Sequence, residues 1–159
     1  MASTTTTTTT LISLLYHSQS DLDDIRPDIL SYGVDDFTER MEESEAIINR
    51  TLDSRWYRNV AADAGLDWRA TPFDPELVLT VSQITRLACY KSLELIYLFL
   101  MKEALEPDAF ERQMETFKKL YKDELSEVLT AGIDYDFDQS GEIEPDESSI
   151  PTVRRLKRV

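Results

Sequence analysis

The side chains best suited to chemistry lie in one run of twelve, Asp136 to Glu147 (DFDQSGEIEPDE). Hard oxygen ligands recur in it at Asp136, Asp138, Ser140 and Glu147. Calcium takes roughly six to eight such oxygens at flexible distances, and the calcium loop of helix–loop–helix proteins spaces them in this way. Gly141 falls where that loop makes its sharp turn, and Glu142 then offers its backbone carbonyl. Ile143 is the expected apolar pin, Glu144 a ligand acting through water, and Glu147 the bidentate closing ligand. Starting the register at Asp134 fails, because Gln139 would then occupy the turn. Pro145 and Pro151 interrupt any exiting helix, and there is one such loop rather than a pair. The expectation is therefore a static clasp that folds the C-terminal tail, not a calcium sensor. The plain alternative is an acidic turn that caps the preceding helix.

Three long helices and a short one are expected to position this loop. Phe37, Met41, Ile48, Leu52, Trp56 and Val60 fall on one helical stripe, which predicts a helix from Asp35 to about Ala64, stopped by Gly65. Asp74-Pro75 reads as a cap followed by proline at the first helical position, opening a second helix to about Ala104. That helix is apolar all round from Leu95 to Met101, which places it centrally or in a subunit interface. Pro107 opens a third, to Ala131, with Phe110, Met114, Phe117, Tyr121 and Leu125 on its stripe and Gly132 as its stop. A short acidic helix capped by Ser20 precedes them. The fold class is all-α: an elongated bundle over residues 20–132, with an extended N-terminal arm (1–19) and a C-terminal tail (133–159).

The remaining candidates point away from catalysis. His17 is the one histidine and sits near the Thr-rich N-terminal end, so a Ser-His or Cys-His site would have to use it. Cys89, the one cysteine, lies within an apolar helix, where a buried thiol is the ordinary outcome. No glycine-rich phosphate loop or Cys/His cluster occurs. The chain is expected not to be an enzyme. Its net charge of -14 repels phosphates and anionic membrane surfaces. No apolar run approaches the roughly 20 residues of a membrane span, and neither a leader segment nor a disulfide is expected. Two features suit partner binding instead. Trp68 lies in the loop after the first long helix, and Arg154, Arg155, Lys157 and Arg158 make a basic end (VRRLKRV) on an acidic chain.

The layout resembles the adaptor, or head-completion, proteins of tailed bacteriophages. The residues that carry the resemblance are EESEAIINRTLDSRWY (Glu42 to Tyr57), the apolar LVLTVSQITRLACYKSLELIYLFL (Leu77 to Leu100), a charged third helix, DFDQSGE (Asp136 to Glu142) and the basic terminus. The resemblance implies a virion protein assembled in the host cytoplasm. It would form a ring-shaped homo-oligomer, a dodecamer, between the portal protein and a tail or stopper protein. DNA would pass through an acidic channel without specific binding. A calcium-dependent interaction module is the alternative reading of the same chain.

Overall fold

The structure is a computed structural model that describes residues 14–32, 36–105 and 108–152. It is all-α, as expected. The chain forms α1 (Gln19–Ile25), α2 (Thr38–Leu52), α3 (Arg58–Asp63), α4 (Ser82–Glu103) and α5 (Asp108–Ala131). A π-helical turn, Asp53–Tyr57, joins α2 to α3 without a break, so the two form one long helix. No named strand occurs among the described residues, only isolated antiparallel bridges at Val78–Tyr135 and Ile133–Ile150.

The π-helical turn has a physical reason. Core positions Ser44, Ile48, Leu52, Trp56 and Val60 recur every four residues. Each such step overshoots the 3.6-residue turn by about 40°, so the stripe would wind off the core. A turn holding extra residues absorbs the drift. It keeps Trp56, Tyr57, Val60 and Ala61 all buried.

The central element is α4, which packs against α1, α2 and α5. Ile84, Leu87, Ala88, Cys89, Leu93, Ile96 and Tyr97 bury nearly its whole circumference. The outer helix α5 buries only the stripe Phe117, Tyr121, Leu125 and Val128. One part of the core gathers Trp56, Tyr57, Ile84, Leu87, Leu125 and Tyr135; a second gathers Leu22, Ile29, Met41, Leu93, Tyr97 and Phe117.

Several boundaries differ from the expected ones. Asp74 does cap a turn, its carboxylate accepting the Glu76 N–H, but the turn is an isolated 3-10 segment, Pro75–Leu77. The chain then bridges Tyr135 through Val78, and α4 begins only at Ser82. The short helix is capped by Ser18, not Ser20; Ser18 and Asp21 exchange hydrogen bonds in a capping box. It ends at Ile25, before Pro27, and a 3-10 turn carries Ile29 and Tyr32. Thr38 rather than Asp35 opens the first long helix, and Asp36 accepts its N–H. Asp35 and Pro107 lie outside the described residues, as do 1–13 and 153–159.

The C-terminal segment is built into the body. Ile133, Tyr135 and Ile150 are buried in the first core group. Gly132 has φ +95°, and a Cβ there would lie 2.3 Å from the Ser149 backbone. Only glycine allows the end of α5 to approach the returning strand of chain this closely.

Candidate metal centre

The loop Asp136 to Glu147 hangs between α5 and the returning segment 148–152. Its mouth is pinned on both sides by backbone. Asp136 N–H donates to Leu77 C=O (2.9 Å), Tyr135 N–H to Glu147 C=O (3.0 Å), and Ile133 and Ile150 exchange bonds (3.1 and 3.3 Å). Asp134 ties the same region: its carboxylate accepts from Thr80 Oγ1 (2.6 Å) and Ser149 N–H (2.6 Å). Burial raises the Asp134 pKa, but those hydrogen bonds outweigh it and hold the group below the usual carboxylate range.

Inside the mouth, Asp136, Asp138 and Glu147 bring carboxylate oxygens within 4.8 Å of one another. Asp136 and Glu147 are each only 4% exposed, whereas Asp138 faces solvent. Backbone N–H groups orient them. Gly141 donates to Asp136 Oδ2 (2.8 Å), Ser140 to Asp136 Oδ1 (3.0 Å) and Asp138 Oδ1 (2.9 Å), and Phe137 to Glu147 Oε1 (2.7 Å). Gly141 has φ +76° with open space around it, so it serves the turn and not a close approach. Ser140 and Glu142 lie alongside: the Ser140 hydroxyl faces the Glu142 carbonyl at 3.4 Å. Of the ligands expected from the sequence, the fold brings Asp136, Asp138 and Glu147 together.

The electrostatics of the loop are lopsided. Residues 133–152 contain no Lys or Arg. Glu144 is fully exposed, yet the charges of Asp138 and Asp146 push its carboxyl above the ordinary range. Hydrogen bonds from Ser140 hold Asp138 below it. At an effective dielectric near 20, two carboxylates about 5 Å apart repel by roughly 3 kcal/mol. A charge-assisted N–H bond returns roughly 1.5–3 kcal/mol, so the backbone donors offset the Asp136–Glu147 repulsion without removing its cause. One atom points to a cation. Glu147 Oε2 is buried and has no hydrogen-bond partner. A buried carboxylate oxygen is costly to leave unpaired, and a cation is the partner that three converging carboxylates would share. These residues fit a metal ion. A hollow beside Ala64, Leu66 and Phe137, with Glu144 and Asp146 on its acidic side, gives access from solvent.

The loop departs from a helix–loop–helix site after Gly141. Pro145 and Asp146 form a turn rather than a helix, and that turn delivers Glu147. Ile143 is 53% exposed, so it does not pin the loop.

Trp68 is half-buried against the first core group, with the guanidiniums of Arg58 (4.7 Å) and Arg69 (4.4 Å) over its ring. Arg154, Arg155, Lys157 and Arg158 lie outside the described residues.

A second polar cluster is one the sequence did not reveal. His17 is 5% exposed, deep in the body rather than near a free end. Its Nε2 lies 2.7 Å from Ser92 Oγ and its Nδ1 3.3 Å from Glu45 Oε1. Glu45 also accepts the N–H groups of Tyr16 (2.8 Å) and Leu15 (3.1 Å). Burial raises the Glu45 pKa, but these bonds outweigh it and hold the carboxyl low. The order serine–histidine–acid suggests a nucleophile. However, Ser92 is fully buried, and Ser44 shares its hydroxyl at 2.7 Å. The arrangement ties residues 15–17 to α2 and α4. Spacing gave no signal, because His17 and Ser92 are 75 positions apart. Cys89 is buried, and burial pushes its thiol up to about 12, leaving it protonated at neutral pH.

Among the described residues no helix is long and apolar enough to cross a membrane. No protein family, curated protein or solved structure matches the chain.

Proposed function

We propose that this chain is a structural adaptor that joins larger subunits. In the reading its sequence suggests, it joins a bacteriophage portal to the tail as a ring around the DNA channel. The observation that carries the reading is the division of charge along a tied-down chain. An acidic bundle is followed by a segment fastened to its surface up to Thr152, whose N–H donates to Leu129 C=O (3.1 Å). Four basic residues follow within the next seven. A basic end launched from a fixed point on an acidic body suits attachment to an acidic neighbour, including the next copy in a ring. The same acidic surface would let DNA pass without sticking. This role requires no catalysis. Its partners would be the portal protein, a tail or stopper protein and further copies of the chain, with the assembled virion as its location.

The test is electron microscopy of the purified protein, alone and mixed with a portal ring. Rings that dock on the portal are expected, with docking weakened by deletion of 151–159. Monomers that never dock would overturn the proposal.

A second reading, a calcium-dependent interaction module, is favoured by the unpartnered Glu147 Oε2 among Asp136 and Asp138. In both readings the ion is calcium. The three converging donors are carboxylate oxygens, and the loop spacing adds the Glu142 carbonyl as an expected fourth, a hard-oxygen set that suits calcium. The two readings differ in what calcium changes: the adaptor still docks without it, with its basic end less firmly placed, whereas the module binds its partner only with it.

A further inference from the structure

Glu147 does two jobs at once. Its side chain closes the acidic cluster, and its backbone carbonyl accepts Tyr135 N–H at the mouth of the loop. The segment that follows is held by few bonds. Ser149 N–H donates to Asp134 Oδ1 (2.6 Å), Trp56 Nε1–H to Ile150 C=O (2.7 Å), and Thr152 N–H to Leu129 C=O. The Ile150–Ile133 pair and the Thr152 hydroxyl, which also donates to Leu129 C=O (3.2 Å), join them. Ser149 and Gln139 both adopt left-handed backbone (φ +47° and +60°) without being glycine. Such residues persist only where their surroundings over-determine them. The fastening is thus narrow, locally strained and adjacent to crowded negative charge.

We infer that a divalent cation shared by Asp136, Asp138 and Glu147 is the lock of this strap, residues 133–152. This rests on the cation reading above and adds what the ion controls. With the ion bound, Glu147 is drawn onto Asp136, the Tyr135–Glu147 rung closes, and Ser149 to Thr152 stay on the bundle. Without it, mutual repulsion of the carboxylates opens the loop. The strap then loosens from Glu147 onward, and the point from which the basic terminus departs is no longer fixed. Ion occupancy therefore sets where that terminus can reach. An ion that binds only the closed strap shifts closure by mass action, about 100-fold at a hundred times its dissociation constant.

The experiment uses the full chain with calcium, magnesium or EDTA. Calorimetry reads ion binding, and amide hydrogen exchange reads Tyr135, Ile150 and Thr152 against helix amides of α4. Calcium is expected to give binding heat and to slow exchange at those three amides by tenfold or more, leaving α4 unchanged. Glu147→Gln should lose both effects while far-UV circular dichroism stays helical. Trp56→Phe, which removes the indole donor but keeps an aromatic ring edge-on to Tyr135, should keep the heat and speed exchange at Ile150. Binding heat with unchanged strap exchange would overturn the lock and leave the cation site standing. No heat from calcium would overturn both.

Discussion

Two polar clusters flank the same bundle, and they differ in whether they complete themselves. Around His17 the polar groups pair with one another and with backbone: Ser92 and Ser44 share a hydroxyl contact, Ser44 donates to Met41 C=O (2.8 Å), and Glu45 receives two backbone N–H groups. Around Glu147, four backbone N–H groups orient the acids, yet one buried oxygen is left over and no basic side chain is present in the segment. A self-satisfied network holds chain to chain. An unsatisfied one of a single charge sign is arranged for something outside the protein. Residue types alone would rank the clusters the other way, since serine, histidine and glutamate suggest catalysis more strongly than a lone acidic loop does.

Mutations can break or sharpen this contrast. The largest effect is expected at Trp56, which anchors the strap through both its ring and its indole N–H. Trp56→Ala should cost about 3–5 kcal/mol in urea unfolding, because it leaves a core cavity and takes the indole donor from the Ile150 carbonyl. A cost below 1 kcal/mol would show that the strap is not fastened there. Gly132→Ala comes next, at about 1–3 kcal/mol, since its Cβ would collide with the Ser149 and Ile150 backbone. Its loss should concentrate in strap amides rather than in α4.

The N-terminal tie should answer to acid. The Glu45 carboxyl is held below its ordinary range of about 4.5 in the folded chain. Its contribution is therefore present above that value and is lost as pH falls through the lower, folded-state one. Glu45→Gln should flatten the acid limb of stability below about pH 4.5, by about 1 kcal/mol; an unchanged limb would show that other carboxylates govern it. Smallest is Ser18→Ala, which removes one half of the capping box on α1 and should cost about 0.5 kcal/mol in thermal unfolding.

The sequence was most legible where the signal is local and periodic. The stripes of α2 and α5, the all-round apolar stretch of α4, the stops at Gly65 and Gly132 (φ +79° and +95°) and the turn at Gly141 follow from spacing and backbone freedom. It was least legible where distant contacts override local preference. Ser18 and Ser20 each have an aspartate three residues on, so either could cap α1. Ser18 does so where Glu45 fixes the chain just before it. Asp74-Pro75 is a genuine helix start that yields a single turn, because Val78 is drawn into pairing with Tyr135. The bond from Trp56 to Ile150, 94 positions apart, leaves no trace in spacing.

The two tryptophans give the molecule a built-in optical gauge. Trp56 is fully enclosed, 5.6 Å from the Tyr135 ring and bonded to the strap, whereas Trp68 is partly open to solvent between two guanidiniums. Emission from the first should be blue and fed by tyrosine, and emission from the second should be red and readily quenched by iodide. Lifting the terminal segment would wet only the first, so the state of the fastening can be followed by light without any label.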